Sequence, residues 1–536
     1  MKRNHIFFNR FFGVMAAISL TAASCTKNFE KINTDPNGLW EKDLKGDFAL
    51  YGSPFNQIQL SIHQYTPDWQ YQLQQNLNAD IWSGYMMTPV NFANNVNNTN
   101  YAMVDGWNDR IWLTAYGNVM SPALAVIERA KADNFPNFEA WGLILKVMAM
   151  HRVSDFFGPI VYTKFGTINS DGSVTYDSQQ EAYTAFFKDL DDAQAKLKPF
   201  AEDANAPLAF GRFDLVYGGS YVKWMKFLNS LRLRLAIRIA KADPGKAKTE
   251  AEKSLSNSFG VIETNAEDFI IDSKTITNPL NIISNNWLDI NMGAPMESFL
   301  TGYSDPRLPI YFQPATDPAF AGQYRGIRSG IQMLDENTYL NFSRLGNLGT
   351  KTPMLTAAET WFLRAEAKLN GWTDAGVASV KEAYEKGIQL SFSQWGLSNA
   401  AFDAYKVSTA KPKPYVDPKN AVNNVPAGSP VLSTVSPLWN EAGTTAEKRE
   451  QILTQKWLAI YPESCEAWAE FRRTGYPKLF PVVVNNSNNV VPNGEFIKRV
   501  NFVISERENN QGGYQGAVQK LGGADNINTR LWWNVP

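Results

Sequence analysis

Phe213–Pro244 reads FDLVYGGSYVKWMKFLNSLRLRLAIRIAKADP, and the fold class turns on it. Asp214 suits a helix start. Asp243-Pro244 imposes a stop, because proline has no N–H to donate and restricts the residue before it. Between them Trp224, Phe227, Leu228, Leu231 and Leu235 fall at i, i+3, i+4, i+7 and i+11, one apolar stripe of a helix. Leu233, Ile237 and Ile239 widen that stripe to much of the circumference. Lys223, Lys226, Arg232, Arg234, Arg238 and Lys241 are its charged positions. A helix this apolar must be covered on more than one side, so other helices are expected around it. Gly218-Gly219 marks a break or a close approach ahead of its long part.

Helical spacing recurs on both sides. Gln57–Asp80 has helical character, with Leu73, Leu77 and the adjoining Ile81 at helical spacing, and Trp107–Lys131 carries Trp112, Ala115, Tyr116 and Val119, with Pro122 as a kink or division. Asn137–Phe157 places Trp141, Leu145, Met148 and Arg152 periodically and stops at Phe157-Gly158-Pro159. Gln179–Leu197 is amphipathic through Tyr183, Phe186, Phe187, Leu190 and Leu197. Downstream, Lys246–Ser258 is a short helix, whereas 260–350 is turn-rich with a β-branched piece at Phe269-Ile270-Ile271. Pro353–Gly371 and Asp374–Gln389 form a helix pair. Small residues at Ala365, Ala367, Ala383 and Gly387 give the pair the look of a degenerate tetratricopeptide unit of roughly 34 residues. Glu447–Thr474 is helical again. Ala410–Pro437 holds six prolines and reads as a long excursion, functional or mobile rather than core.

The chain is long, at 536 residues, with a formal net charge of −1, and no basic patch marks a nucleic-acid binder. Aromatic content is high (Trp 16, Tyr 21, Phe 32), enough for a core and for a flat-ligand surface. The two cysteines make no disulfide framework. The N-terminus has basic Lys2, Arg3 and Arg10 and an apolar run from Phe11 to Ala23, too short to span a bilayer. Ala22-Ala23-Ser24-Cys25 then resembles a lipobox. It implies cleavage of residues 1–24 and acylation of Cys25, although Ala22 stands where leucine is commonest. Residues 25–45 read as a polar tether.

Several segments carry a family resemblance. They are Trp224-Met-Lys-Phe-Leu-Asn-Ser-Leu-Arg-Leu-Arg-Leu235, Arg152-Val-Ser-Asp-Phe-Phe-Gly-Pro159, Asp305-Pro306-Arg307-Leu308 and Arg364-Ala365-Glu366-Ala367. Phe471-Arg472-Arg473-Thr474-Gly475-Tyr476-Pro477 and the tail with Arg499, Gly522-Gly523 and Leu531-Trp532-Trp533 complete the series. The chain resembles the SusD-like (SusD/RagB) family of outer-membrane lipoproteins. The reading is a mainly α, SusD-like fold. Tetratricopeptide-type helix pairs form a scaffold, and a looped, partly β ligand-binding subdomain sits on it. The expected organisation is 46–259 for an N-terminal helical scaffold, 260–350 for the loop/β-rich subdomain and 351–409 for a helical pair. A long loop at 410–440 and C-terminal helices with a tail at 441–536 complete it.

The resemblance implies a surface-exposed, lipid-anchored protein of the outer membrane. The same resemblance implies that it captures oligosaccharide and acts as lid for a SusC-like TonB-dependent barrel. Two rival readings are a peptide-binding RagB-type lipoprotein and a glycan hydrolase. No cofactor is read from the sequence, and calcium is possible only by resemblance. Catalytic motifs are missing: His63 and His151 lie in no metal-ligand spacing, and no HExxH or G-x-S-x-G occurs. The ligand-binding candidates sit in loops. Trp82, Tyr85, Asn91, Asn94 and Trp107 flank or belong to a run with six asparagines between Asn91 and Asn100. Asparagine amides donate and accept, and aromatic faces suit sugar rings, although the same asparagines equally serve loop conformation. Asn285, Asn286 and Trp287 form a second group, with a tryptophan in a polar loop, and Tyr303, Tyr324 and Arg325 extend it. Cys465 reads as a small buried residue, and Arg472 and Arg473 as partners of core carboxylates.

Overall fold

The computed structural model describes residues 41–536, with 334 and 336 excepted. Met1–Tyr51 and Gly52–Pro536 are separate units. Of the first, Glu41–Gly46 is a short helix at the end of the expected tether. The signal peptide, Cys25 and the rest of the tether lie outside the described residues. The second unit carries the fold, and no described helix is long and apolar enough to cross a membrane.

The helices follow the apolar periodicities, with ends set by local chemistry. Asp105–Thr114 (α1) and Ser121–Ala132 (α2) flank a π-helical stretch, Ala115–Met120, and Pro122 opens α2 instead of kinking one long helix. Pro136–Phe157 (α3), Gln179–Glu202 (α4), Tyr221–Arg238 (α5) and Pro244–Leu255 (α6) pack consecutively, each against the next. Ser178 and Glu181 make a reciprocal capping box at the start of α4.

The central stretch starts later than its sequence implies. Ser220, not Asp214, caps α5, accepting from the Lys223 amide. The Asp214 carboxylate instead accepts from the amides of Val216, Tyr217 and Gly219 and from the Trp224 indole at 2.8 Å, pinning the preceding turn to the helix. Gly218 and Gly219 adopt φ of 61° and 85°, the left-handed region that glycine enters without penalty. At the other end Asp243 caps α6, with Pro244 as its first residue.

Ala357–Leu369 (α7) and Val380–Gln394 (α8) form the expected pair. A Cβ on Gly387 would come within 2.8 Å of the Phe362 ring, which is why a residue without one stands there. Both helices begin later than the periodicity indicated. Lys351–Leu355 is a strand, β4, pairing antiparallel with β2, Phe269–Asp272, and Thr356 caps α7. The expected single helix over Glu447–Thr474 is two, Thr445–Ala459 (α9) and Ser464–Thr474 (α10), divided at Tyr461-Pro462. Both α7 and α8 pack on α9, and α7 also packs on α5. The 410–440 excursion is not simply peripheral: Tyr415 and Val425 are buried with Ala294 and Phe480 in one apolar cluster.

The largest departure from the sequence reading concerns charge. From Phe227 to Arg238 every side chain of α5 is buried, arginines included. Arg234 forks onto Glu359 at 2.9 and 2.6 Å. Arg238 reaches Glu466 at 2.6 Å and Glu470 at 2.8 Å. Lys456 lies 3.2 Å from both Glu466 and Glu470, and Arg473 bridges Glu366 and Glu470 at 2.7 Å each. This lattice of opposite charges therefore ties α5, α7, α9 and α10 together, where the sequence points to carboxylate partners only for Arg472 and Arg473. Burying ions is tolerated because each is paired and hydrogen-bonded. Arg473 meets carboxylates as expected, whereas Arg472 donates to the carbonyls of Trp468, Asp155 and Lys498 and lies on the Trp468 ring at 3.4 Å.

The family-like motifs act as ties between distant segments. Arg499 donates to the Phe157 carbonyl at 3.1 and 3.0 Å and pairs with Asp525, so the tail closes on the end of α3. Arg307 and Asp305 form a bidentate pair at 2.9 and 2.6 Å, wholly buried against Phe392 and Tyr405.

Candidate functional site

Two two-residue strands assemble the loops. Met86–Met87 (β1) pairs antiparallel with Asn291–Met292 (β3), in register Met86↔Met292 and Met87↔Asn291. Gly293 then donates to the Tyr85 carbonyl at 2.9 Å and pairs in parallel with Ile327. A Cβ on Gly293 would lie 2.5 Å from the Gly84 carbonyl oxygen, and one on Gly326 would lie 2.5 Å from that of Gly293. Glycine thus lets three backbones cross, and the segments around 82–87, 285–293 and 324–327 meet.

Within that assembly the sequence candidates separate. Tyr85 is wholly buried, stacked on Trp457 at 5.1 Å with its hydroxyl donating to the Trp457 carbonyl. Trp82 is buried against Trp468 at 4.7 Å, its indole N–H donating to the Asn98 carbonyl. Tyr303 is buried and donates to the Val435 carbonyl at 2.9 Å. The ligand-facing role expected of these three is corrected: their rings are occupied by core side chains and their polar tips by carbonyls.

The asparagine run divides by position. Asn97 and Asn100 make a capping box, Asn98 accepts from the Val104 amide and donates to Asn108, and Asn95 holds Met333. These amides fold the loop. Asn94 is exposed in the left-handed region, φ 55°, and Asn91 is half-buried. In the third segment Arg325 is half-buried, reaching Glu297 at 3.2 Å and Gln323 at 2.6 Å over the Phe320 ring. Burial pushes the Glu297 carboxyl up to about 7, while the Gly326 amide and Arg325 hold it down. Tyr324 is half-buried, as is Asn285, which accepts from Gln313 at 2.8 Å. Asn286 is exposed.

Trp287 keeps its expected exposure at 39%. Leu288 beside it has φ of 64°, a rare conformation for a branched residue and a mark of a constrained loop. A second tryptophan joins it. Among the described residues Trp69 and Trp287 are the exposed tryptophans, Trp69 at 44%. Trp69 lies in the helical turn Asp68–Tyr71, which packs against the helix Pro279–Asn285 that leads into Trp287. Gln72 donates to Asp289 at 2.8 Å across the same junction. Burial raises the Asp289 carboxyl above its ordinary range. The Arg110 guanidinium stands 5.1 Å from the centre of the Trp69 ring, a cation–π contact. Trp107 precedes Arg110 by three residues on α1, hence on the same face, and meets Phe92 edge-on at 6.2 Å. The Arg110 contact and the packing of Asp68–Tyr71 on Pro279–Asn285 therefore set Trp69, which helical periodicity absorbs into an expected helix, beside the helix that carries Trp107 and the one that leads into Trp287. The signal for Trp69 was Thr66-Pro67-Asp68 just before it, a break that puts the ring at the start of a short turn.

This surface offers flat apolar faces edged by amides, a carboxyl and a guanidinium. Such a surface grips a ring without bonding to it. Both described histidines are buried, and burial pushes each down to about 3, with Arg152 adding to it at His63 and Arg234 at His151. The Cys465 thiol is buried and pushed up by burial. Among the described residues no group of three or more His, Cys, Asp or Glu side chains is placed to hold a metal ion.

The sequence pattern of the SusD-like family, described as SusD and RagB outer membrane lipoprotein, matches residues 31–534. Among solved structures, a chitin-binding SusD homologue from Flavobacterium johnsoniae is 45% identical with a TM-score of 0.86, covering 92% of this chain and 98% of its own. A SusD homologue from Bacteroides vulgatus is 38% identical with a TM-score of 0.85, covering 92% and 99%. Another from Bacteroides uniformis is 35% identical with a TM-score of 0.80, covering 91% and 99%. No curated protein matches the chain.

Proposed function

The chain belongs to the SusD-like family, and from that premise we propose that it captures oligosaccharide at the cell surface, with Trp69 and Trp287 as its ligand platform. The observation that carries this reading is the placement of two exposed tryptophans on packed, adjoining elements, in a chain whose other tryptophans are partly or wholly buried among the described residues. Oligosaccharides of N-acetylglucosamine are the ligand class favoured by the 45% identical chitin-binding homologue. Sugar CH faces stack on indole, and the amides and carboxyl at the rim take hydroxyls. No covalent step is part of the proposal. The protein delivers its ligand to a SusC-like TonB-dependent barrel and closes over it as a lid, the partnership that the family resemblance implies.

Trp287→Ala is expected to weaken retention in chitin-oligosaccharide affinity gels by about tenfold, roughly 1.4 kcal/mol. Its melting temperature should barely move, since the ring is an exposed one. Unchanged retention, or collapse of the fold, rejects Trp287 as a platform. The same gels carrying other glycans and peptides test the ligand class: a protein held by peptides and by no glycan overturns it. Anchoring rests on Cys25, and more than one acyl chain there gives stable attachment. Cys25→Ala is expected to move the protein from the membrane to the soluble fraction. A variant still extracted only by detergent refutes acylation as the anchor.

A further inference from the structure

Beyond the tryptophans, an open cleft of about 710 Å³ lies between the asparagine-rich loop and the C-terminal segments. The first contributes Val96 and Met103 to its lining, and the second Asn486, Asn488, Val490 and Asn526. None of its lining residues is ionisable apart from the Tyr101 phenol, which stays neutral because burial pushes it up. In a chain with 51 lysines and arginines and 52 acidic residues, a cleft this large without a charged side chain is selective by composition. Its walls are held in place: the Asn486 amide donates to the Asn100 carbonyl at 2.8 Å, and the Asn485 side chain to the Val491 carbonyl at 2.7 Å. Asn488 is exposed at φ 54°, and the neighbouring apolar side chains Val96 and Val490 are 55% and 36% exposed.

We propose that this cleft is a second glycan site, which binds uncharged, N-acetylated sugar units of the same polymer chain that the tryptophan platform holds; it rests on the platform reading for the identity of that chain. An acetamido group presents an amide donor, a carbonyl acceptor and a methyl. The cleft offers amides beside exposed valines and a methionine, which answers all three. The same walls contain no cation for a uronate or sulfate and no carboxylate for the ammonium of a de-acetylated amino sugar, and an unpaired charge is costly to desolvate. The two sites also share one helix. Val104 lines the cleft and is the N-cap of α1, the helix whose Arg110 covers Trp69. Six residues of helix separate them, about 9 Å at the usual rise. The proposal has one glycan chain pass from the platform across this helix to the cleft.

The test compares an N-acetylated trisaccharide with an octasaccharide by titration calorimetry. The variant is Asn488→Gly with Val490→Asp, in which glycine keeps the left-handed backbone and aspartate puts charge into the neutral wall. Val96→Asp in the asparagine-rich loop is the second variant, and thermal melting checks both for folding. Each is expected to bind the octasaccharide about tenfold more weakly while changing trisaccharide affinity less than about twofold. The unaltered protein should prefer the octasaccharide over its de-acetylated counterpart. Octasaccharide affinity unchanged in both folded variants overturns the proposal, and so does equal loss on both ligands. Trp287→Ala unchanged on the trisaccharide sinks the platform instead, and leaves the cleft to be judged on the octasaccharide result.

Discussion

Glu466→Gln is expected to lower the free energy of unfolding by about 3–5 kcal/mol, the cost of leaving buried charges without their counter-ion. Glu466 is buried 2.6 Å from Arg238, 3.2 Å from Lys456 and 3.6 Å from Arg234. The glutamine keeps the shape and part of the hydrogen bonding, so the loss reads charge rather than a cavity. Urea unfolding with an unchanged m-value measures it, and a loss below about 1 kcal/mol would show that the lattice is not held by its charges. Adding Lys456→Met should recover part of the loss, since a cation leaves with the anion, and the double-mutant cycle gives the coupling. Acid provides a second readout. Burial would raise the Glu466 carboxyl, but Arg238, Arg234 and Lys456 together bring it from 4.5 to about 2. A lowered folded value means that this group stabilises the protein fully above about 4.5, the unfolded value, and loses its contribution as pH falls towards about 2. Stability should therefore fall steeply with pH in that window, and less steeply in Glu466→Gln.

That lattice also marks where sequence reading stops. The stripe Trp224, Phe227, Leu228, Leu231 and Leu235 announces a covered helix, and all five are buried. The same periodicity left Arg234 and Arg238 as charged positions with no stated partners. Their carboxylates come from Glu359, Glu466 and Glu470, more than a hundred residues downstream, and no local pattern encodes a pairing made by tertiary packing. Helix ends depart from the periodicity for a related reason. Lys351–Leu355 continues the apolar run of α7, and only its pairing with Phe269–Asp272 makes it a strand. Proline at 462, by contrast, carried a legible break that the longer periodicity of Glu447–Thr474 overrode.

For the site, residue type was legible and facing was not. Tyr85 and Trp287 both sit near polar residues in loop-like sequence. The β1–β3 pairing carries the first into the core and leaves the second at the surface. Asn97, Asn98 and Asn100 satisfy their own loop, the alternative that asparagine chemistry always leaves open. Trp69 was invisible as a partner of Trp287 because they lie far apart in sequence, and what brings them close is the packing of Asp68–Tyr71 on Pro279–Asn285.

Trp69→Ala combined with Trp287→Ala is expected to weaken glycan binding by about two orders of magnitude or more, roughly 3 kcal/mol. The two rings supply the large flat area of the platform, and aromatic anchors carry a disproportionate share of binding energy. Each single variant should lose about tenfold. If each ring holds its own sugar unit of one chain, the losses add, and the double variant shows about the sum of the singles. Arg110→Ala supplies the control for geometry, because it frees the face of Trp69 covered at 5.1 Å without removing the ring. Its loss should be smaller than that of Trp69→Ala, as a cation–π contact at an exposed site is worth about 0.5–1 kcal/mol. Exposed substitutions of this kind change stability by about 0.5 kcal/mol or less, so melting temperature separates lost contact from lost fold. Titration calorimetry of the double variant within twofold of the unaltered protein would remove the tryptophans from the binding surface, and with them the physical basis for reading these loops as the part of the molecule that holds sugar.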